Sequence, residues 1–262
     1  MKKCLLLVLW LFSQNSFAQK TEFGFNAGLC NYWGDLAPMV QAKETHPMAG
    51  VFARINLNHT WALRAELNRF TITGSDANFT NSQIRNLSFK NQLNEASLLV
   101  EFNYLKYGTH VLHEHFTSYV FVGMGVFTHN PQAYLNGVWY DLRNYRTENV
   151  AYSTFGMAIP FGIGIKYMFN NRFAFESQLG FRKTFTDYLD DVSNVYPDIQ
   201  SRFSDGGLIG STLTDRSIEK FGVPQFKQGY KRGDPGHNDW YMNLSVGFSM
   251  RLRTKGKCPR FF

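Results

Sequence analysis

Eight stretches of this chain alternate apolar residues with polar or small ones at a period of two, and this limits the possible folds more than any other feature. Successive side chains of an extended strand point to opposite faces, so each stretch has one greasy face and one polar face. Glu22 to Leu29 sets Phe23, Phe25, Ala27 and Leu29 against Glu22, Gly24, Asn26 and Gly28. Ala49 to Asn58 sets Ala49, Val51, Ala53, Ile55 and Leu57 against Gly50, Phe52, Arg54, Asn56 and Asn58. From Trp61, the apolar Trp61, Leu63, Ala65 and Leu67 oppose Ala62, Arg64, Glu66 and Asn68, and Ala96 to Tyr104 oppose Glu95, Ser97, Leu99, Glu101 and Asn103. The fifth stretch, Tyr119 to Phe127, carries Gly123 and Gly125 and leaves its outward face ambiguous. Ile159 to Tyr167 opposes Gly162, Gly164 and Lys166; Phe173, Phe175, Leu179 and Phe181 oppose Glu176, Gln178, Gly180 and Arg182. Leu244 to Leu252 opposes Asn243, Ser245, Gly247, Ser249 and Arg251.

A soluble β-sandwich also alternates, and a composition of 44% hydrophobic and 16% aromatic residues suits either fold. The polar face decides between them. A water-facing sheet usually carries Lys, Thr and Glu, whereas this face is Gly, Asn and Ser with isolated charges. That mixture fits a narrow lumen in which Arg54, Arg64, Glu66, Glu95, Glu101, Lys166, Glu176, Arg182 and Arg251 neutralise one another. The expected fold is all-β, an eight-stranded antiparallel transmembrane β-barrel with long external loops.

The connections agree, because such barrels alternate short periplasmic turns with long outer loops. His59-Thr60 and Asn170-Asn171 have tight-turn chemistry, and the joins between stretches one and two, three and four, five and six, and seven and eight are long. Only Leu105 to Phe116 is longer than a periplasmic turn should be. Trp61, Tyr104, Tyr119, Tyr167, Trp240 and Tyr241 lie near strand ends and are expected in interfacial girdles.

The ends define the compartment. Lys2 and Lys3, the apolar run Leu5 to Phe12 and the small residues of Ser16-Phe17-Ala18 predict a signal peptide over residues 1–18, with the barrel over 19–253. The apolar run falls well short of the roughly 20 residues of a spanning helix, and charged or amide residues interrupt every later candidate. Cys4 leaves with the signal, and Cys30 and Cys258 are expected at opposite ends of neighbouring strands, as free thiols. The formal charge of +7 becomes +5 when Lys2 and Lys3 are removed. Arg251, Arg253, Lys255, Lys257 and Arg260 concentrate that charge at the C-terminus, with 254–262 expected as a basic periplasmic tail. Such a tail is either a solvated segment beside anionic lipid or a partner-docking one. Export and the lack of a binding motif argue against nucleic acid.

Three constellations are candidates for chemistry. Asp187, Asp190, Asp191 and Asp198 suit calcium in charge, but they lack EF-hand spacing, and an acidic loop paired with Arg182, Lys183 or Arg202 is the simpler expectation. His110, His113 and His115 have no thiolate and no ligand spacing. Ser88, Ser97, Ser118 and Ser245 stand in no nucleophile context. No catalytic residue, cofactor, metal or small-molecule substrate is expected.

Further segments are more specific. Asn31-Tyr32-Trp33-Gly34-Asp35-Leu36, Arg85-Asn86-Leu87-Ser88-Phe89, Gly137-Val138-Trp139-Tyr140-Asp141-Leu142 and Ile159-Pro160-Phe161-Gly162 resemble the PorG family of type IX secretion. So do the segment from Arg182 to Ser193, Lys231-Arg232-Gly233-Asp234 and Asp239-Trp240-Tyr241. The resemblance implies an outer-membrane protein of Bacteroidota that contacts the periplasmic ring of PorK and PorN, in a machine that exports sorting-domain proteins and supports gliding in some species. A glycine-rich continuation is expected after Thr147-Glu148, where this chain has Asn149-Val150. A lipid-modifying barrel enzyme and a passive adhesion barrel, binding through the loop from Thr184 to Asp239, are the competing readings.

Overall fold

The computed structural model describes residues 20–107, 115–170, 172–204 and 206–252. The strands are β1 (Lys20–Trp33), β2 (His46–Asn56), β3 (Trp61–Ser75), β4 (Ser88–Asn103), β5 (Phe116–Thr128), β6 (Gln132–Leu135), β7 (Val138–Asp141), β8 (Phe155–Met168), β9 (Phe173–Thr184) and β10 (Trp240–Arg251). They pair in the order β3-β2-β1-β10-β9-β8-β5-β4, and β4 pairs back onto β3. Eight antiparallel strands thus close into a barrel without a free edge, the one sheet geometry that satisfies every backbone group inside hydrocarbon. The hairpin of β6 and β7 stands outside the wall and meets β4 at Lys90 opposite Gln132. The predicted residues 1–18 and 254–262 lie outside the described residues.

The wall confirms the partition read from the sequence. Inward positions are buried along β3 and β4 in strict alternation, and the outward ones are exposed or half-exposed, Leu98 to 70% and, on β5, Met124 to 69%. β5 is now unambiguous: Val120, Val122, Met124 and Val126 face out, and Tyr119, Phe121 and Phe127 face in. An apolar exterior around a charged interior is the pattern of a barrel immersed in lipid.

Two asparagines make the short turns by the same means. The Asn58 Oδ1 accepts the backbone N–H groups of Thr60 and Trp61 at 2.8 and 2.7 Å. The Asn170 Oδ1 accepts those of Arg172 and Phe173 at 2.8 and 2.9 Å. Each side chain replaces a backbone acceptor and so fixes the hairpin register. At this end Trp61, Phe102, Tyr104, Tyr167 and Phe169 face outward in edge-to-face pairs, as a girdle should. Tyr119 and Tyr241 do not belong to that girdle, contrary to expectation. Their strand parity turns both inward, where Tyr119 donates to Gln178 and Tyr241 to Glu95.

Candidate functional site: a sealed lumen and its outer cap

The lumen is filled by one charge network. Arg54 contacts Glu22 and Glu101 at 2.9 Å each and Glu176 at 2.5 Å. Arg64 reaches Glu66 and Glu176 at 2.6 Å and Glu101 at 3.4 Å. Lys166 is bound to Glu101, Arg182 lies 3.4 Å from Glu95, and Arg251 lies 2.6 Å from Glu22. Five cations face five carboxylates, all buried, so the lumen is neutral. The nine lumenal residues expected from the sequence are all present, and Glu22 completes the count. A guanidinium also stacks on the Phe52 ring, with the Arg64 Cζ 3.8 Å from the ring centroid. An eight-stranded barrel has an interior just wide enough for its side chains, and the buried ion pairs fill it.

Among the described residues, side chains cover both ends. At the short-turn end Tyr107, from the long join between β4 and β5, is buried against Met168 and Ala174 below Lys166 and Arg251. At the outer end the inward residues change character: Met48, Phe70, Ile72, Phe89, Leu93 and Phe127 form an apolar plug with Leu36, Leu189 and Val192 from the loops. The chain's main hydrophobic core therefore sits inside the outer mouth.

Over this plug, five of the segments that carry the resemblance meet: those around Tyr32, Arg85, Asp190, Arg232 and Asp239. The Tyr32 hydroxyl lies 2.7 Å from an Asp190 oxygen and 2.5 Å from an Asp239 oxygen. The other Asp239 oxygen accepts the Leu189 N–H at 2.9 Å. Arg85 forks onto Asp76 and reaches the carbonyls of Asp35 and Arg232. The Asp35 carboxylate accepts the Asp234 N–H at 2.8 Å. Arg232 binds Glu148 at 2.8 Å and lies 3.6 Å from Asp191, while Glu148 accepts the N–H groups of Ser193 and Asn194. Segments up to about two hundred residues apart in sequence thus form one hydrogen-bonded lid. Asn149 adopts φ 59°, a left-handed conformation that Asn tolerates, so the departure from glycine keeps the backbone path.

The lid holds protons as well as charges. One phenol proton cannot serve two carboxylates, so Asp190 or Asp239 must itself be a protonated donor to the Tyr32 oxygen. Burial, and then the negative charge of its neighbours, pushes both carboxyls well above the usual range. Burial pushes Asp187 up to about 7, with Asp35, Glu148 and Asp234 adding to it. Burial raises Asp191 to about 6 against the opposing pull of Arg232. Burial lowers His129 to about 4, so it stands neutral in the lid, its ring parallel to Tyr152 and that ring parallel to Tyr188.

The predicted candidates disperse. Asp190 and Asp191 turn to Tyr32 and Arg232, and Asp198 caps the short helix Ile199–Ser204. Among the described residues no three acidic, histidine or cysteine side chains converge on a metal position. The acidic loop is paired with Arg232; Arg182 is spent in the lumen, Lys183 lies 5.9 Å from the Trp240 ring, and Arg202 meets Asp215. His115 contacts the Met168 carbonyl, and His110 and His113 lie outside the described residues. Ser88 accepts from Arg216, and Ser245 from Asn243. Cys30 is a buried free thiol directed at the Thr71 carbonyl, 3.0 Å away. Arg251 points into the lumen rather than to the periplasmic surface, because its strand parity matches that of Ser249 and Gly247. Arg253, Lys255, Lys257 and Arg260 lie outside the described residues. Arg232, Glu148, Asp239 and Tyr32 carry the lid without any role assigned from the sequence; their positions within the shared segments were the available signal.

Residues 2–208 match the family described as a domain of unknown function, DUF6089. The chain belongs to that family. The matched range stops within the long loop, so the Arg232 and Asp239 lid contacts and β10 of this DUF6089 chain lie beyond it. No curated protein matches the chain. Among solved structures it is similar to Ail, the attachment invasion locus protein of Yersinia pestis, at 8% identity and a TM-score of 0.43, covering 90% of this chain and 100% of that one. It is also similar to the outer membrane protein OprG of Pseudomonas aeruginosa, at 11% identity and a TM-score of 0.43, covering 90% and 98%. Neisserial surface protein A gives 8% identity and a TM-score of 0.39, covering 88% and 97%. The closed eight-stranded wall of the DUF6089 chain rests on its own strand pairing.

Proposed function

We propose that this DUF6089 chain is a non-enzymatic, PorG-like outer-membrane component of the type IX secretion machinery, exported by cleavage of residues 1–18. Its barrel fixes the apparatus to the outer membrane, and its short turns and basic tail 254–262 contact the periplasmic PorK and PorN ring. In gliding species the same anchor serves motility. The observation that carries this reading is the filled, neutral lumen, covered at both ends among the described residues. A barrel that cannot conduct acts through what it touches. The segments resembling PorG support the particular machine, since they supply the lid that a merely hydrophobic barrel has no need of.

Deletion of the gene in its own host tests the reading. The expected result is loss of secretion of sorting-domain cargo with the envelope lipid profile unchanged, and co-purification of PorK and PorN with the wild-type barrel. Truncation from Thr254 onward is expected to weaken ring recovery while the barrel still inserts. Normal cargo secretion in the deletion strain would refute it; altered lipid species would favour an envelope-lipid enzyme, and loss of surface binding alone an adhesin.

A further inference from the structure

The outer wall carries a feature that the secretion reading does not use. On β3 and β4 the alternation inverts toward the outer end: Leu67 and Ala96 face out as apolar residues, but Arg69, Thr71, Thr73, Lys90, Gln92 and Asn94 face out above them. The register places Arg69 beside Asn94, Thr71 beside Gln92, and Thr73 beside Lys90. Below this line Ala53, Ala65 and Ala96 leave a shallow apolar trough of about 920 Å³ between Phe23, Leu67 and Met124. Above it a cleft of about 560 Å³ opens between the ends of β2 to β4 and the β6–β7 hairpin.

The upper cleft is built for a polar ring. Trp139 and Tyr134 are half exposed, their ring centroids 5.2 Å apart and their planes inclined at 54°, so Trp139 presents one face with Tyr134 at its side. Opposite them, His46 Nε2 lies 2.8 Å from the Thr73 hydroxyl, which donates in turn to the buried Glu44 carboxylate. The Lys90 Nζ hangs 5.3 Å from the Trp139 centroid. The Arg69 guanidinium touches the amide oxygen of Gln92 at 2.5 Å. Neither Arg69 nor Lys90 has an ion-pair partner among the described residues. At about 3.4 Å per residue the series from Ala65 to Thr73 extends over about 27 Å of wall.

We propose that this face binds one phosphorylated glycolipid of the outer leaflet. Acyl chains lie in the alanine trough, the phosphate meets Arg69, and the sugar ring packs on Trp139 beside Lys90 and His46. From the trough upward the wall presents apolar residues, then Arg69, then Lys90 together with the aromatic and polar residues of the cleft, which matches the order of tail, phosphate and sugar in such a molecule. A neighbouring barrel would require an apolar face throughout, and a soluble protein would not enter the trough. The proposal needs only the barrel in an outer membrane and is independent of any ring contact.

Native mass spectrometry of the full chain in detergent, with bis-phosphorylated lipid A as probe, tests it. Comparison probes are dephosphorylated lipid A, phosphatidylethanolamine and the water-soluble deacylated disaccharide bisphosphate. The wild type is expected to retain lipid A at least about ten-fold better than each comparison probe, a difference of about 1.4 kcal/mol. Arg69→Gln with Lys90→Gln is expected to reduce retention about ten-fold or more, as is Trp139→Ala. Ala96→Trp fills the trough and should have the same effect by a separate route. Folded protein is selected by its heat-modifiable mobility, so a misfolded variant is not scored. Equal retention of lipid A by the wild type and the double variant would overturn the proposal. So would binding of the deacylated sugar or of phosphatidylethanolamine as tight as that of lipid A.

Discussion

Glu101 is the carboxylate whose removal tests the lumen most directly. It is fully buried and meets Arg54 at 2.9 Å, Arg64 at 3.4 Å and Lys166. Glu101→Gln preserves shape but leaves five buried cations over four buried carboxylates. Breaking a buried pair from one side destabilises a protein by about 3–5 kcal/mol, because the remaining charge stays buried and uncompensated. With a urea slope of about 1–3 kcal/mol/M, the midpoint in detergent should fall by about 1–5 M, read by tryptophan fluorescence or heat-modifiable mobility. Lys166→Met removes the cation whose carboxylate partner is Glu101. The double variant restores four against four and is expected to recover at least about 2 kcal/mol relative to additivity, as coupled sites do. If Glu101→Gln changes the stability by less than about 0.5 kcal/mol, or the two substitutions simply add, the lumen is hydrated and the barrel is not sealed.

Planar-bilayer recordings should show no steady conductance for the wild type, whereas joint replacement of Arg54, Arg64 and Phe52 by alanine should open a measurable one. The lid should loosen as pH rises. Asp187 and Asp191 are raised to about 7 and about 6, and the Asp190–Asp239 pair is raised too, so the native state binds more protons than the unfolded one above the ordinary aspartate range. Their stabilisation is complete below that range and is lost as pH climbs through the raised values, so proteolysis between Phe185 and Asp239 should be faster at pH 8 than at pH 5. Asp187→Asn should flatten that profile. Asp190→Asn should be mild, within about 1 kcal/mol, since one carboxyl of the pair is already protonated, while Asp239→Ala should cost about 1–3 kcal/mol by orphaning the buried Leu189 N–H, Tyr32 keeping Asp190.

The wall was legible because a strand in a barrel has only two faces. Once Phe23 and Leu63 are assigned outward, Glu22 and Arg64 must point inward, and the period of two carries the assignment along each strand. Tyr119 and Tyr241 were misplaced by reasoning from position near a strand end when parity was the stronger constraint. The lid was legible only as a set of motifs. No local pattern tells that Asp239 pairs with Tyr32 across 207 positions, because loops follow no period and their contacts are set by the closed wall beneath them. Arg232 shows the same difficulty. Three nearer basic residues were plausible partners for the acidic loop, and its actual partner arrives from beyond three short helices.

The inversion of polarity on β3 and β4 joins these observations. Up to Leu67 the outside is greasy and the inside charged; from Arg69 the outside is polar, and Phe70 and Ile72 turn the inside apolar. A water-soluble sandwich has no reason to exchange its faces in mid-strand, whereas a strand leaving a membrane does, since its outer face passes from hydrocarbon into water while its inner face becomes the core of a folded cap. Asn94 and Leu93 make the same exchange in register on β4, so the crossover is a level in the molecule rather than an accident of one strand. The side that carries this cap is the side of the long loops. The compact Asn58 and Asn170 turns and the Tyr107 plug therefore lie at the opposite end of the barrel from the cap.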